Sequence, residues 1–263
     1  MTTAEIGVFG GSGFYSLLHD VDTIELDTPY GSPSAPPVVG KVGSRRVAFI
    51  PRHGSGHEFP PHRIPYRANL WAMKELGVGR VLAPNACGSL QPEVKPGEFV
   101  ICDQLVDRTR DRPNTFYDGP VTTHISFADP YCDVMRGVIL DRGRDLGIAM
   151  HRRGTVVVIE GPRFSTRAES TWFANAGWEG INMTQYPEAV LARELELCYA
   201  NISLITDYDV GVEGVPAVTN DEVVRVFGEN NAKVRDLLFA VIPELPAERD
   251  CPCATALRGA AFG

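Results

Sequence analysis

Several short polar segments follow apolar runs along the chain, and their side chains could bind an anion or transfer a proton. The first is GGSG, residues 10–13, in which glycine N–H groups and the Ser12 hydroxyl could hold phosphate oxygens. It is not a Walker A loop, because no Gly-Lys-Ser/Thr follows. Ser16 occupies the third glycine position of a dinucleotide-binding fingerprint. A plain tight turn is the alternative interpretation.

The segment PRHGSGH, residues 51–57, places an arginine beside two histidines. Arg52 could hold a phosphate through two parallel N–H bonds. His53 and His57 lie four residues apart with His62 beyond, which makes a metal site one alternative and a structural loop another. The glycines and prolines of this region argue against a helix that would present both histidines to one ion. Binding of an oxyanion by Arg52 is the third interpretation of this segment, beside the metal site and the structural loop.

The segment NACGS, residues 85–89, is a run of small residues after the apolar run 78–83. Its backbone could line a ligand, and Asn85 adds an amide. Cys87 could act as a nucleophile, but no charged neighbour in the sequence would activate its thiol, so packing is the simpler role.

Two further segments carry carboxylates. In EGPRFS, residues 160–165, Phe164 could pack on a flat ligand, whereas Glu160 and Arg163 could form an ion pair that closes a turn. In TDYD, Asp207 and Asp209 alternate and would share one side of an extended chain. A carboxylate accepts from an exocyclic amine and, when protonated, donates to a ring nitrogen. Mg²⁺ binding or simple solvation are the alternatives.

The six cysteines are too sparse for a disulfide scaffold. Four are isolated and are interpreted as small buried hydrophobes in a reducing compartment: Cys87, Cys102, Cys132 and Cys198. Cys251 and Cys253 could form a redox pair or part of a metal site, but no two further ligands lie near them in the sequence. We therefore expect an exposed tail with two free thiols.

The elements that must position these groups alternate between apolar runs and helical patterns. Strands are predicted from residue 6 and at 47–50, 78–83, 98–102, 155–159 and 202–205. Helices are predicted at 66–76, 135–146 and 187–197, with another after Thr219 that carries Val223, Val224 and Phe227. A charged loop at 107–111 and a long loop at 111–123 are also predicted. Such alternation indicates an α/β fold with a largely parallel sheet, in which ligands bind at the carboxyl ends of the strands.

The composition sets outer limits on the function. The chain has 263 residues, 44% apolar and 22% charged, which excludes a disordered chain, a collagen-like fibre and a coiled coil. One domain spanning 1–263 is expected, with a peripheral tail from about residue 245. The net charge of −8 argues against nucleic acid, and no apolar stretch approaches the ~18 residues of a membrane span. The N-terminus has no export signal, so a cytoplasmic protein is expected.

Seven segments together resemble the trimeric purine nucleoside phosphorylase and methylthioadenosine phosphorylase family: GVFGGSG, PRHGSGH, NACGSL, DQLVDRT, IEGPRFSTRAES, INMTQYPE and ITDYD. The resemblance runs from Ile6 to about Pro243 and implies a single domain with a twisted mixed sheet flanked by helices. It implies cleavage of 6-aminopurine nucleosides, S-methyl-5′-thioadenosine or adenosine, by phosphate to purine base and pentose 1-phosphate. It implies a homotrimer and neither a metal nor an organic cofactor, with phosphate as co-substrate.

The resemblance also assigns roles to individual residues. Phosphate would be bound by Ser12, Arg52, His53, Ala86 and Thr184, with Asn85 adjacent. Met183 would pack against the ribose and Phe164 on the base. Asp207 and Asp209 would recognise the purine and serve the catalysis, and Asp207 could donate a proton near N7 only if burial raises its pKa. His124 matches a position that reaches the 5′ pocket of a neighbouring subunit.

One position departs from the methylthioadenosine branch. Asn220 lies where those enzymes usually carry an apolar residue near the 5′ substituent. A buried amide there would favour a hydroxyl over a methylthio group, although Asn220 could instead be only a helix N-cap. A 6-oxopurine nucleoside phosphorylase therefore stays an alternative. Outside this class, a nucleotide-binding oxidoreductase and a non-catalytic purine-binding module remain open.

Overall fold

The computed structural model describes residues 3–10, 19–210 and 218–262, so Ser12 lies outside the described residues. The strands are β1 (Ile6–Gly10), β2 (His19–Thr23), β3 (Val38–Val42), β4 (Arg45–Pro51), β5 (Arg80–Ser89), β6 (Phe99–Val100), β7 (Gln104–Arg108), β8 (Thr122–Thr123), β9 (Met150–His151), β10 (Thr155–Ile159), β11 (Gly180–Asn182), β12 (Cys198–Asp207) and β13 (Ala261–Phe262). The helices are α1 (Tyr66–Glu75), α2 (Asp133–Asp145), α3 (Arg167–Asn175), α4 (Gln185–Glu194) and α5 (Asn220–Glu244).

Strand β5 is the centre of the main sheet. It pairs in parallel with β1 on one side and with β12 on the other, and its last residues pair antiparallel with β11. The longest path through this sheet is β2-β3-β4-β1-β5-β11-β10-β7. The sheet is mixed, as the family resemblance implied. Strand β3 runs antiparallel to both β2 and β4, and β11 pairs antiparallel with β5 but parallel with β10. The predicted parallel pairing holds for β1 with β4 and β5, and for β10 with β7.

The helices cover the sheet through apolar faces that their spacing predicts. Leu70 and Met73 of α1 are fully buried in one core cluster, and Met135 and Ile139 of α2 are fully buried in another. Burying each such side chain contributes roughly 1.5–3 kcal/mol relative to leaving it in water. The predicted helices at 66–76 and 135–146 are therefore confirmed, and β10 coincides with the predicted strand 155–159.

Several strand boundaries differ from the prediction. Strand β5 continues through Pro84 to Ser89, where a turn was expected, because β12 stays paired with it as far as Gly88. Strand β12 begins at Cys198 and ends at Asp207, and β7 extends to Arg108 into the predicted charged loop. Strands from distant parts of the chain pair with these segments and so set where each strand ends. Local turn propensity contains no information about such pairing.

The C-terminal segment packs on the body of the protein rather than forming the expected exposed tail. Leu245 and Cys253 are buried, and Cys251 is half-buried. Strand β13 pairs antiparallel with β8, and the N–H of His124 donates to the carbonyl of Ala260. Among the described residues, no helix combines the length and apolarity needed to cross a bilayer.

Candidate active site

A cavity of about 950 Å³ opens at the edge of the sheet where β4, β10 and β12 end. Its volume is in the range of small-molecule sites. Ten of the predicted site residues line it: Arg52, His53, Asn85, Ala86, Phe164, Met183, Thr184, Asp207, Asp209 and Asn220. A second cavity, of about 330 Å³, lies at the amino end of β5 beside Gly79 and contains none of them. The large cavity is therefore the candidate active site.

Among the described residues that line the cavity, Arg52 is the one arginine or lysine, and a carboxylate that the sequence did not suggest holds it. The guanidinium is only 4% exposed, and its Nε and one terminal nitrogen donate to the two carboxylate oxygens of Glu188 at 2.7 and 2.9 Å. The other terminal nitrogen donates to the carbonyl of Pro84 at 3.1 Å. Since a guanidinium has five N–H donors, two remain for an oxyanion.

Glu188 lies on α4 with 1% exposure and also accepts from the Tyr199 hydroxyl at 2.7 Å. Burial alone would lower the pKa of Arg52, but the Glu188 carboxylate raises it by more, so the guanidinium stays charged. In the sequence, Glu188 is distinguished only as the single acidic residue of the apolar segment PEAVLA in the predicted helix. Its partner could not be read from the sequence.

His53 follows Arg52 directly and is neutral at physiological pH. Burial is the largest cause that lowers the pKa of His53 to about 4, and the positive charge of Arg52 is a smaller one. The ring Nδ1 lies 2.9 Å from the carbonyl of Phe59. Because a carbonyl can only accept, Nδ1 carries the hydrogen, and Nε2 is left as an acceptor for a protonated phosphate oxygen. The rings of His53 and His57 stack with centroids 4.4 Å apart.

Two amides supply further donors. Asn85 and Asn182 line the cavity, and within the described chain the side-chain nitrogen of each is buried without a hydrogen-bond partner. The Asn85 oxygen accepts from Asn201 at 3.2 Å, and the Asn182 oxygen accepts from the N–H of Thr184, which fixes both amides. A buried donor without a partner costs about 1–3 kcal/mol, and a bound oxygen would remove that cost. Asn182, which precedes Met183, was missed by the sequence reasoning.

Asp207 is the last residue of β12 and is 5% exposed. Burial raises the pKa of its carboxyl group, despite hydrogen bonds from the Thr206 hydroxyl and the Asp209 N–H that favour the ionised form. The negative charge of the neighbouring Asp209 adds to the rise. Gly88 makes room for this group, because a Cβ there would lie 3.0 Å from an Asp207 oxygen. Asp207 was expected to donate a proton only if burial raised its pKa, and burial does raise it.

Asp209 is held in a different way from Asp207. Its carboxylate accepts from the hydroxyls of Ser165, at 2.9 and 3.0 Å, and of Ser170. Its φ of 50° turns the chain, so the expected extended geometry does not hold, yet both aspartates line the cavity. The two hydroxyl donors fix the orientation of the Asp209 side chain. The two serines lie about 40 residues before Asp209, and no local pattern identified them.

The apolar part of the cavity comes from Phe164, Met183 and the first turns of α5. Phe164 is 38% exposed at the mouth. Gly161 leaves space for Met183, since a Cβ at Gly161 would lie 2.6 Å from its sulfur. Val223 and Phe227 of α5 complete the wall. An apolar surface of this kind suits the faces of a sugar and a purine ring.

Asn220 lines the cavity but differs from the expectation in two respects. The side chain that caps α5 belongs to Thr219, which accepts from the N–H of Glu222, so Asn220 is the first helical residue rather than the N-cap. It is also solvent-exposed rather than buried. Contact with water reduces the free-energy penalty that an unpaired amide would impose on a methylthio group.

Other interpretations from the sequence are corrected by the contacts. Glu160 does not pair with Arg163. It accepts from Arg112 at 3.2 Å and from the N–H of Arg110, whereas Arg163 pairs with Glu169 at 2.8 Å.

Cys87 lines the cavity, but burial raises the pKa of its thiol well above the usual range, which disfavours a nucleophilic thiolate. His124 is exposed and does not line this chain's cavity. Its expected place in the pocket of a neighbouring subunit stays a prediction.

Comparisons with known proteins agree with this geometry. Residues 5–243 match the Phosphorylase superfamily. A purine nucleoside phosphorylase from Streptomyces coelicolor is 53% identical, covering 97% of this chain and 95% of that protein. An S-methyl-5′-thioadenosine phosphorylase from Pyrococcus furiosus is 52% identical, covering 97% and 98%. The structure of methylthioadenosine phosphorylase from Schistosoma mansoni with adenine superposes with a TM-score of 0.92 at 35% identity, covering 98% of each chain.

Proposed function

The chain belongs to the phosphorylase superfamily, and from this premise we propose that it cleaves the N-glycosidic bond of 6-aminopurine nucleosides with inorganic phosphate. The substrates are S-methyl-5′-thioadenosine, adenosine or both, and the products are adenine and the corresponding pentose 1-phosphate. The observation that carries the proposal is one cavity with a charged, oriented Arg52 and a buried Asp207 whose pKa is raised. The S. mansoni relative with adenine bound supports a 6-aminopurine.

The phosphate subsite is formed by Arg52, His53, Asn85, Ala86 and Thr184, and the GGSG segment with Ser12 would complete it. Two guanidinium N–H groups and the free amide hydrogens of Asn85 donate to phosphate oxygens, while Nε2 of His53 accepts from a protonated one. These fixed groups hold phosphate beside the anomeric carbon. A phosphate oxygen then forms the new C1′–O bond as the C1′–N9 bond breaks.

The purine subsite supplies the proton. The electron pair of the broken C1′–N9 bond moves to the purine, and a protonated Asp207 stabilises that charge by donating to N7. The carbonyl oxygen of the same carboxyl group accepts from the 6-amino group. Asp209, fixed by Ser165 and Ser170, accepts a further hydrogen bond from the base or its water. Phe164 packs on the base and Met183 on the ribose.

Release of free base should require phosphate, and this result separates the competing functions. We expect the purified protein to release adenine from adenosine or methylthioadenosine only when phosphate is present, with one pentose 1-phosphate formed for each base. Chromatography of base and sugar phosphate measures this directly. Release at the same rate without phosphate would indicate a hydrolase. Cofactor absorbance with no release would favour an oxidoreductase, and nucleoside binding without turnover would favour a binding module.

The same substrate panel tests the 6-oxopurine alternative. A carboxylic acid at Asp207 can donate to N7 and accept from a 6-amino group, whereas a 6-oxo group needs a donor at that position. We therefore propose that adenosine and methylthioadenosine have a higher kcat/KM than inosine and guanosine. A higher kcat/KM for inosine would contradict the substrate class and leave the phosphate dependence in place.

Asn220 is expected to influence the choice of 5′ substituent. Replacing it with Val should raise the ratio of kcat/KM for methylthioadenosine to that for adenosine by about 2–10-fold, since an exposed amide costs less than a buried one. Steady-state kinetics on both nucleosides measures the ratio. The exposed helix position Asp221, which precedes Glu222 and does not line the cavity, provides a control as Asp221→Asn. An unchanged ratio in the Val variant would remove Asn220 from the 5′ subsite.

We further propose that the enzyme is a cytoplasmic homotrimer in purine salvage, in which His124 reaches the 5′ subsite of a neighbouring subunit. Support for this comes from the resemblance of the chain to a trimeric family. The exposure of His124 outside its own cavity is compatible with such a role. Phosphate remains the only co-substrate in this proposal.

A further inference from the structure

Four cysteines from three separate parts of the chain converge outside the active-site cavity. The sulfur atoms of Cys132, Cys198, Cys251 and Cys253 all lie within 4.8 Å of one another. None of the four residues lines the cavity. The sequence predicts Cys132 and Cys198 as isolated, buried cysteines. Their burial is confirmed, but their isolation is wrong, because packing brings both thiols to the C-terminal pair from more than 50 residues away along the chain.

The separations of these sulfur atoms fit a shared metal ion. Cys251 Sγ lies 3.8 Å from Cys132 Sγ and 3.3 Å from Cys198 Sγ. A tetrahedral zinc site with Zn–S bonds of about 2.3 Å has sulfur atoms roughly 3.8 Å apart. A disulfide bond requires about 2.05 Å. Each of the four sulfur atoms has the other three within 4.8 Å. Two separate disulfide-like pairs would instead give each sulfur one close partner.

The backbone around the cluster is fixed by regular structure. Cys132 is the N-cap residue of α2, and its N–H donates to the carbonyl of Tyr199. Cys198 is the first residue of β12, with its N–H bonded to the carbonyl of Gly79. Cys253 lies in the short 3-10 helix Pro252–Thr255, which Cys251 precedes. Rigid supports of this kind hold ligands at defined positions, as a structural metal site requires.

Positive groups lie beside the cluster. Cys132 caps the 13-residue helix α2, whose N-terminus carries a positive dipole. The guanidinium of the buried Arg193 interacts electrostatically with Cys253. A zinc ion with four thiolates carries a net charge of −2, and these positive groups would offset part of it.

We propose that Cys132, Cys198, Cys251 and Cys253 bind a structural zinc ion that fastens the C-terminal segment to α2 and β12. All four ligand positions are taken by protein, which is the arrangement of a closed structural site rather than a catalytic one. The segment fastened in this way includes β13, which pairs with β8 next to His124. The ion would therefore stabilise the fold around the C-terminus and take no part in the proposed reaction.

Metal content of the full-length protein tests the proposal. The protein is purified under reducing conditions with zinc supplied and without chelators, and zinc is measured by inductively coupled plasma mass spectrometry. We expect about one zinc ion per chain, and about tenfold less in the double variant Cys251→Ser/Cys253→Ser. Cys102→Ser is the control, since Cys102 is a buried cysteine outside the cluster whose thiol contacts the Ser203 hydroxyl. It should keep the wild-type zinc content.

Two further readouts separate a true site from loss of folding. Cobalt added to the reduced wild-type protein should give the visible bands of tetrahedral thiolate coordination, which the double variant lacks. A strong chelator should lower the Tm of the wild type and of Cys102→Ser but leave that of the double variant unchanged. No zinc and no cobalt bands in reduced wild-type protein would overturn the proposal. So would an intact mass 4 Da below the reduced mass, which would show two disulfides in place of a metal.

Discussion

Replacing Asp207 with Asn should lower kcat/KM for adenosine and methylthioadenosine by about 10²–10⁴-fold, the range expected when a general acid is lost. An amide has nearly the same shape as a carboxylic acid but cannot deliver a proton to N7. It presents both a donor and an acceptor, so it can still pair with a purine ring and is compatible with a 6-oxo group. The ratio of activity on inosine to activity on adenosine should therefore rise in the variant.

The pH profile provides a second test of the same role. Burial raises the pKa of Asp207, so the protonated acid persists to higher pH than for an exposed aspartate. As the pH rises through that pKa, the proton is lost, and kcat/KM at saturating phosphate should fall. His53 does not produce this limb, because its pKa is lowered to about 4. The alkaline limb should be absent in Asp207→Asn.

A matched control is Asp103→Asn, which removes a carboxylate that binds the N–H of Gly154 away from the cavity. Its kcat/KM and pH profile should stay close to those of the wild type. If Asp207→Asn keeps the wild-type preference among purines and the alkaline limb, Asp207 is not the proton donor. Another group of the cavity would then have to protonate the leaving base.

Replacing Arg52 with Met is the second change with a large expected effect, and it acts on both stability and phosphate binding. The variant leaves the Glu188 carboxylate buried without its cation, which should lower the apparent free energy of unfolding by about 3–5 kcal/mol. The lost charge-assisted hydrogen bonds should raise KM for phosphate roughly 10–100-fold. Urea denaturation and phosphate-dependent kinetics at saturating nucleoside measure the two effects.

The double variant Arg52→Met/Glu188→Met separates these two effects. Replacing both members of a buried ion pair by apolar side chains is often neutral for stability, whereas removing one leaves an uncompensated charge. The double variant should therefore recover about 2 kcal/mol or more of the lost stability, with the Tyr199 hydroxyl left without its acceptor as the remaining cost. Its KM for phosphate should stay as high as that of the single variant. Recovery of a wild-type KM would show that Arg52 does not bind phosphate.

Much of the architecture could be predicted from local sequence. The β-branched run 155–159 predicts β10, because such side chains pack well on a pleated buried surface. The spacing of Leu70 and Met73 predicts α1, because residues three apart share a helix face. Arg52 follows the apolar run 47–50, and Asp207 follows the run 202–205. Both side chains line one cavity, because parallel strands end at a common edge of the sheet. The family resemblance rested on these segments as well.

Other features were decided only by tertiary structure. Glu188 neutralises Arg52 across 136 residues, and Cys132 meets Cys251 across 119, so no local period or spacing relates the partners. The pKa values of Asp207 and His53 depend on burial, which exists only once strands and helices from distant segments have packed. Strand β5 runs on through Pro84 for the same reason, because β12 supplies its hydrogen bonds. The sequence by itself identified Arg52, His53, Asp207 and Asp209 as groups that could do chemistry and placed them after apolar runs. Packing between distant segments decided their charges and partners, because electrostatic and metal-binding properties depend on neighbours in space rather than along the chain.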